Sequence, residues 1–139
     1  TAFPVEQGED AYGAAEALQR YLASGAPPER VTISSDAGGC LPCFDADGRV
    51  CSMDVGSAGA LLATMRELAG AGMALETILP AFTSNPARLL RLSDKGKIAA
   101  GADADLVALD ATGGADTVII RGAVHVRGGK AVRRGTFES

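Results

Sequence analysis

The feature that most constrains this chain is the run Arg30-Val31-Thr32-Ile33-Ser34-Ser35, which is rich in β-branched side chains and closed off by Pro27-Pro28 before it and Asp36 after it. A short apolar run bounded in this way reads as a buried strand rather than a helix. Ahead of it, Ala11, Ala14, Ala15, Leu18 and Leu22 recur at helical spacing and predict a helix from Ala11 to Ser24, which Gly25 and Pro27-Pro28 stop. Helix, break and strand in that order belong to an α/β pattern of parallel strands covered by helices. A parallel strand needs neighbours on both edges, so this segment implies more sheet than itself.

The remaining chain divides in texture. Residues 37–56 carry Gly38-Gly39, Pro42, Asp45, Asp47-Gly48 and Gly56, which reads as a long loop. Long loops in compact domains are usually functional or disordered, and Leu41, Phe44, Val50 and Met53 argue against disorder. Ser57 is expected to cap a helix through Gly70, a further helical stretch spans Leu75 to Ala81, and Asn85 is expected to cap a helix from Ala87 to Leu92 with Pro86 at its first position. Beyond Ser93 come short β-like runs, Asp105 to Leu109, Thr117 to Ile120, Val124 to Val126 and Ala131-Val132, with tight turns expected at Gly113-Gly114, Gly122 and Gly128-Gly129. The expected division is therefore 1–93, α/β, and 94–139, a small β module. The opening Thr1-Ala2-Phe3-Pro4 reads as the end of a buried strand, so the chain is expected to be part of a longer protein.

Thirteen basic against seventeen acidic residues leave a net charge of −4, with no basic block and few aromatics, so a nucleic-acid partner is not expected. No apolar run approaches the roughly 20 residues of a membrane span, and a soluble, cytoplasmic protein is expected. One histidine and three cysteines do not supply the clustered ligands of a zinc site, so no metal ligand is expected within the chain.

Asp36 is the sharpest candidate, a carboxylate at the C-terminal end of a strand, where catalytic groups of α/β barrels sit; a carboxylate merely capping its own loop is the competing reading. Cys40-Leu41-Pro42-Cys43 has the CxxC spacing of redox or zinc sites but neither the second ligand pair nor a following helix, and reads as incidental thiols. His125, between valines, reads as surface decoration on a strand. Asp103 and Asp105 read as a structural turn in which a carboxylate accepts backbone amides.

The segment Ile98-Ala99-Ala100-Gly101-Ala102-Asp103-Ala104-Asp105-Leu106-Val107-Ala108-Leu109-Asp110, preceded by Thr83-Ser84-Asn85-Pro86-Ala87, resembles the C-terminal pattern of the amidohydrolase superfamily. The resemblance implies a metal-dependent (β/α)8 barrel followed by strands of a small β-sandwich. Val31 to Asp36, the loop to Met53-Asp54-Val55-Gly56 and the ending Arg134-Gly135-Thr136-Phe137-Glu138 resemble, more narrowly, the isoaspartyl dipeptidases. That likeness implies the last third or so of such an enzyme, beginning at the seventh barrel strand, with Asp36 closing the eighth. It further implies hydrolysis of β-aspartyl dipeptides at a centre of one or two zinc ions, Asp36 as general base, and Cys40 binding substrate where relatives carry a serine. A thiol is the weaker hydrogen-bond donor.

The histidine pairs and bridging group of the family have no counterpart here, so the ligands and partner strands would come from a missing N-terminal part, in a protein expected to be a homo-oligomer. The chain by itself is expected to be inactive. The alternatives are a deacetylase, deaminase or cyclic amidase of the same superfamily, or a catalytically silent β module that binds a partner.

Overall fold

A computed structural model of the chain describes residues 11–135; Thr1-Ala2-Phe3-Pro4 and Thr136-Phe137-Glu138, on which two of the readings above rest, lie outside the described residues. The chain falls into two compact units, Thr1–Asn85 and Pro86–Ser139. Among the described residues no helix is long and apolar enough to cross a membrane.

In the first unit, α1 (Ala14–Ala23), α2 (Ala60–Gly70) and α3 (Leu75–Ile78), the last continued by a 3-10 turn at Leu79–Ala81, supply the core. Helical spacing puts Ala15 and Leu18 of α1, Met65 and Leu68 of α2, and Ile78 and Ala81 into one buried cluster, in which Leu68 and Ile78 have no exposed surface. Leu22, Leu62, Met73, Leu79 and Phe82 pack around it, as do Val31 and Ile33. Two helix starts differ from the sequence reading. Helix α1 begins three residues later than expected, after Gly13, and α2 begins at Ala60, because the Ser57 hydroxyl accepts the Gly59 amide (3.2 Å) and closes a separate turn before the helix.

The expected buried strand at Arg30 to Ser35 is not a strand of any sheet among the described residues. The segment is extended, with Val31, Ile33 and Ser35 half-buried and Thr32 and Ser34 exposed, and the Ile33 amide donates to the Ala81 carbonyl at 3.1 Å. Among the described residues it joins no ladder and is held instead by Val31 and Ile33 on the helical core, while the strands of this unit, β1 (Cys40–Phe44) and β2 (Val50–Val55), pair with each other. These two form an antiparallel hairpin within the stretch expected to be a long loop, with Cys40 opposite Val55 and Pro42 opposite Met53. The Asp45 carboxylate accepts the amides of Asp47 (3.0 Å) and Arg49 (2.9 Å), which turns the chain between them.

Asn85 does not precede the helix as expected. It lies inside α4 (Ser84–Leu89), only 3% exposed, and its side-chain amide donates to the carbonyls of Pro28 and Val31, each at 2.8 Å. The expected helix cap became a clamp because Ser84 already adopts the helical conformation and carries the side chain of Asn85 toward the start of the extended segment. On the far side of the same break, the Tyr21 hydroxyl donates to the Pro27 carbonyl (3.0 Å).

The second unit is a four-stranded antiparallel meander, β3 (Leu106–Leu109), β4 (Ala115–Ile120), β5 (Ala123–Arg127) and β6 (Lys130–Ala131), in that spatial order, as the glycine-punctuated runs predict. Helix α4 ends earlier than the Leu92 expected. Arg91 takes φ 57°, its amide donates to the Arg88 carbonyl (3.1 Å) and that of Leu92 to Ala87 (2.8 Å), the reversal that ends many helices. The β4–β5 turn has positive φ at both Arg121 (48°) and Gly122 (76°), the mirror-image turn that suits twisted hairpins. Arg121 tolerates this because its amide is held by the Asp105 carboxylate at 2.7 Å. Lys95 donates to Asp103 (2.7 Å) and to Asp105, so the paired carboxylates are a structural clasp, as the turn reading expects.

Two outcomes test this packing in the protein that carries the chain. Asn85→Ala leaves two acceptors without their donor and should cost about 1–3 kcal/mol in urea denaturation, with Asn85→Asp, which cannot donate, no better; a loss below about 0.5 kcal/mol would show that the clamp does not hold the segment. The second concerns pH. The Lys95 hydrogen bond, aided by the Arg121 amide, holds the Asp105 carboxyl below the usual carboxylate range, and the hydrogen bonds to Asp103 and Asp105 push Lys95 up. The contribution of Asp105 is present above its unfolded value of about 3.9 and is lost as pH falls through its lower folded value; that of Lys95 is present below about 10.4 and is lost as pH rises through its higher folded value. Lys95→Met should therefore flatten the stability profile at both ends, and an unchanged profile would remove the clasp from the account.

Candidate functional site

Asp36 stands where the extended segment turns into the hairpin. It adopts φ 49°, a left-handed conformation that aspartate visits more readily than most side chains. Its own amide donates to the Ser34 hydroxyl (3.2 Å) and that of Ala37 to the Ser35 hydroxyl (3.3 Å), so the serines before it satisfy the backbone on either side of its Cα. The Asp36 carbonyl accepts the Gly39 amide (2.9 Å), closing a turn whose third residue, Gly38, has φ 82°, a position that favours glycine. Gly38 then donates to the Gly56 carbonyl and Gly56 to the Gly39 carbonyl, both at 2.9 Å, which prolongs the hairpin down to the turn. Asp36 is thus pinned to the base of β1 and β2 by backbone bonds from both directions.

Among the described residues the Asp36 carboxylate accepts no hydrogen bond, and the residue is exposed. That separates it from Asp45 and Asp110. Asp45 spends an oxygen on two backbone amides, and Asp110 spends one on the Thr112 amide and hydroxyl and the Gly114 amide. A carboxylate that capped its own loop would look like these two, whereas the turn at Asp36 is closed by its carbonyl and by serine hydroxyls. The carboxylate remains available to a reacting group.

Cys40 opens β1 directly after this turn and is exposed. Its partner across the ladder is Val55, and the following pair on that face is Pro42 and Met53. Strand geometry also disposes of the CxxC spacing. Three strand rises separate Cys40 from Cys43 by about 10 Å and set them on opposite faces, too far for a disulfide or a shared ion. Cys51, at the irregularity where the register shifts beside Cys43, donates its thiol to the Cys43 carbonyl at 3.3 Å. Among the described residues no group of three His, Cys, Asp or Glu is placed to hold a metal ion.

His125 lies in β5 and is half-buried rather than a bare surface residue, while its carbonyl accepts the Val132 amide at 2.8 Å as part of the sheet. The sequence reading missed the hairpin, although Asp47-Gly48 between alternating apolar residues is a hairpin signal. It missed Gly39 as well: a Cβ added there would lie 3.0 Å from Cγ, Oδ1 and the carbonyl oxygen of Asp36.

Residues 13–130 match the model of the amidohydrolase family. Among solved structures, the chain is similar to the beta-aspartyl dipeptidase of the thermophilic, keratin-degrading Fervidobacterium islandicum AW-1 in complex with beta-Asp-Leu dipeptide, at 35% identity and a TM-score of 0.81, covering 95% of this chain and 34% of that one. A second structure of the dipeptidase from that organism matches at 30% identity and a TM-score of 0.74, covering 96% of this chain and 32% of that one. The N-acetylglucosamine-6-phosphate deacetylase of Thermotoga maritima matches at 21% identity and a TM-score of 0.61, covering 81% of this chain and 35% of that one, a likeness of fold alone. The chain spans about a third of the length of these proteins. With its mixed α/β content and a family match over most of its length, the chain belongs to the amidohydrolase family.

Proposed function

We propose that the chain is the C-terminal portion of a hydrolase of β-aspartyl dipeptides, with residues 1–93 completing a (β/α)8 barrel and 94–139 contributing strands of a β-sandwich. The observation that carries this reading is the 35% identity to a dipeptidase that binds beta-Asp-Leu, sustained over 95% of the chain. The exposed, unspent carboxylate of Asp36 supports it chemically. In this reading the remainder of the protein supplies the missing barrel strands, the working assembly is a homo-oligomer, and the location is the cytoplasm.

Asp36 acts as general base. Its carboxylate takes a proton from the water that attacks the isopeptide carbonyl carbon, and returns that proton to the nitrogen as the C–N bond breaks, so the amine leaves neutral. Transfer of that proton is eased when other groups make the water more acidic. The one or two zinc ions that the family resemblance implies would do this, but the described residues do not form a site for them, and we assign their ligands to the rest of the protein. Cys40, one residue beyond the turn, binds the substrate carboxylate in the ground state through its thiol, a weaker donor than the hydroxyl of a serine.

Kinetics of the complete protein on β-Asp-Leu test both roles. Asp36→Asn should lower kcat at least about 10²-fold while folding is little changed; near-normal turnover by a well-folded variant would remove Asp36 from the mechanism. Cys40→Ser should lower KM and Cys40→Ala should raise it modestly, both at similar kcat. Identical constants for the two would assign the binding to the backbone of the turn or to another residue.

A further inference from the structure

We propose that Gly39, together with the Ser34 hydroxyl, positions the Asp36 carboxylate for proton transfer, so that full turnover depends on the absence of a side chain at position 39. The inference rests on Asp36 as general base and adds the residues that aim it.

Two observations carry it. First, the backbone of Asp36 is held in a sparsely populated conformation, φ 49°, which persists only where neighbouring bonds over-determine it. Here those bonds are the Asp36 amide to Ser34 Oγ (3.2 Å), the Gly39 amide to the Asp36 carbonyl (2.9 Å) and the Gly56 amide to the Gly39 carbonyl (2.9 Å). Second, Gly39 itself has no positive φ, so the backbone does not demand glycine there. The space does. A Cβ would stand 3.0 Å from the carboxyl carbon, Oδ1 and carbonyl oxygen of Asp36, closer than ordinary van der Waals contact. Any side chain at 39 must push either the carboxylate or the carbonyl that closes the turn. Gly38 and Gly48 differ, having positive φ (82° and 76°) and nothing within 4 Å of an added Cβ. Glycine at 38 and 48 therefore answers to turn geometry, and glycine at 39 to the carboxylate.

Because the carboxylate is displaced rather than lost, the effect should fall on kcat. A misplacement of the order of 1 Å costs up to about 10²-fold when a reacting group must be aligned, and the shift needed here is a few tenths of that distance. The test is a double-mutant cycle on the complete protein, assayed with β-Asp-Leu. Gly39→Ala should lower kcat about tenfold with KM within about twofold, and should lower it by less than about twofold when added to Asp36→Asn, because a residue that acts through another has nothing left to aim. Gly48→Ala, which strains the hairpin tip alone, should keep the parental kcat. Ser34→Ala should lower kcat and Ser34→Thr, which keeps the hydroxyl, should restore it; this pair decides the matter if Gly39→Ala does not fold.

Equal losses from Gly39→Ala in the two backgrounds would overturn the proposal, as would parental kcat in Gly39→Ala beside an inactive Asp36→Asn, or a kcat loss in Gly48→Ala as large as that in Gly39→Ala. An Asp36→Asn variant with parental kcat would instead strike the general-base reading, a failure that the single variant reveals by itself.

Discussion

The side-chain amide of Asn85 donates to two carbonyls, those of Pro28 and Val31, which stand on either side of the point where the chain leaves a 3-10 turn at Pro28–Arg30 and becomes extended. Among the described residues, no sheet ladder holds the segment that follows. Its path depends on this clamp, on the single amide of Ile33 reaching the Ala81 carbonyl, and on Val31 and Ile33 packed against the helical core. The orientation in which Asp36 arrives at its turn is set by those contacts. A buried side-chain amide suits the task because it donates twice from one rigid plane, and a buried backbone acceptor without a donor is costly.

Beyond that anchor, the chain treats its loop aspartates in two ways. Asp45, Asp105 and Asp110 are consumed by backbone amides and hold turns in shape, while Asp36 has its turn closed by its carbonyl and by the hydroxyls of Ser34 and Ser35. Satisfying the backbone through serines leaves the carboxylate to solvent or substrate. The hairpin of β1 and β2 grows directly from this turn through the Gly38, Gly39 and Gly56 backbone bonds, which couples Cys40 and the exposed face bearing Pro42 and Met53 to the same base.

Much of this was legible in the residues. The periodic apolar positions of α1 and α2 identify Leu18, Met65 and Leu68 as core, and the glycine-separated runs after Ser93 correspond to the meander β3 to β6. These signals are local: side-chain spacing decides which face is apolar, and glycine decides where positive φ is tolerated. Asp36 stood out for its position after a β-branched run, and the family pattern around Asn85-Pro86 and Asp103 to Asp105 is carried by residues adjacent in sequence. The hairpin was harder, since Pro42, Asp45 and Asp47-Gly48 each signal a turn and only the cross-strand register shows that two strands lie between them.

What the sequence by itself determined is the helices and the strands after Ser93, the apolar faces they bury and the residue types able to do chemistry, because all of these follow from spacing and from the conformational limits of glycine and proline. Tertiary structure alone decided the rest. Asn85, by type and position a helix cap, became a clamp because Pro28 and Val31, more than fifty positions earlier, present their carbonyls to it. Lys95 closes on Asp103 and Asp105 only once the loop folds back, and Cys40 and Cys43 part company only once they lie on a strand. Glycine at 39 is explained by the three atoms of Asp36 lying 3.0 Å from its missing Cβ. Each of these depends on a distance between residues rather than on the identity of either, and distances exist only after the chain has folded.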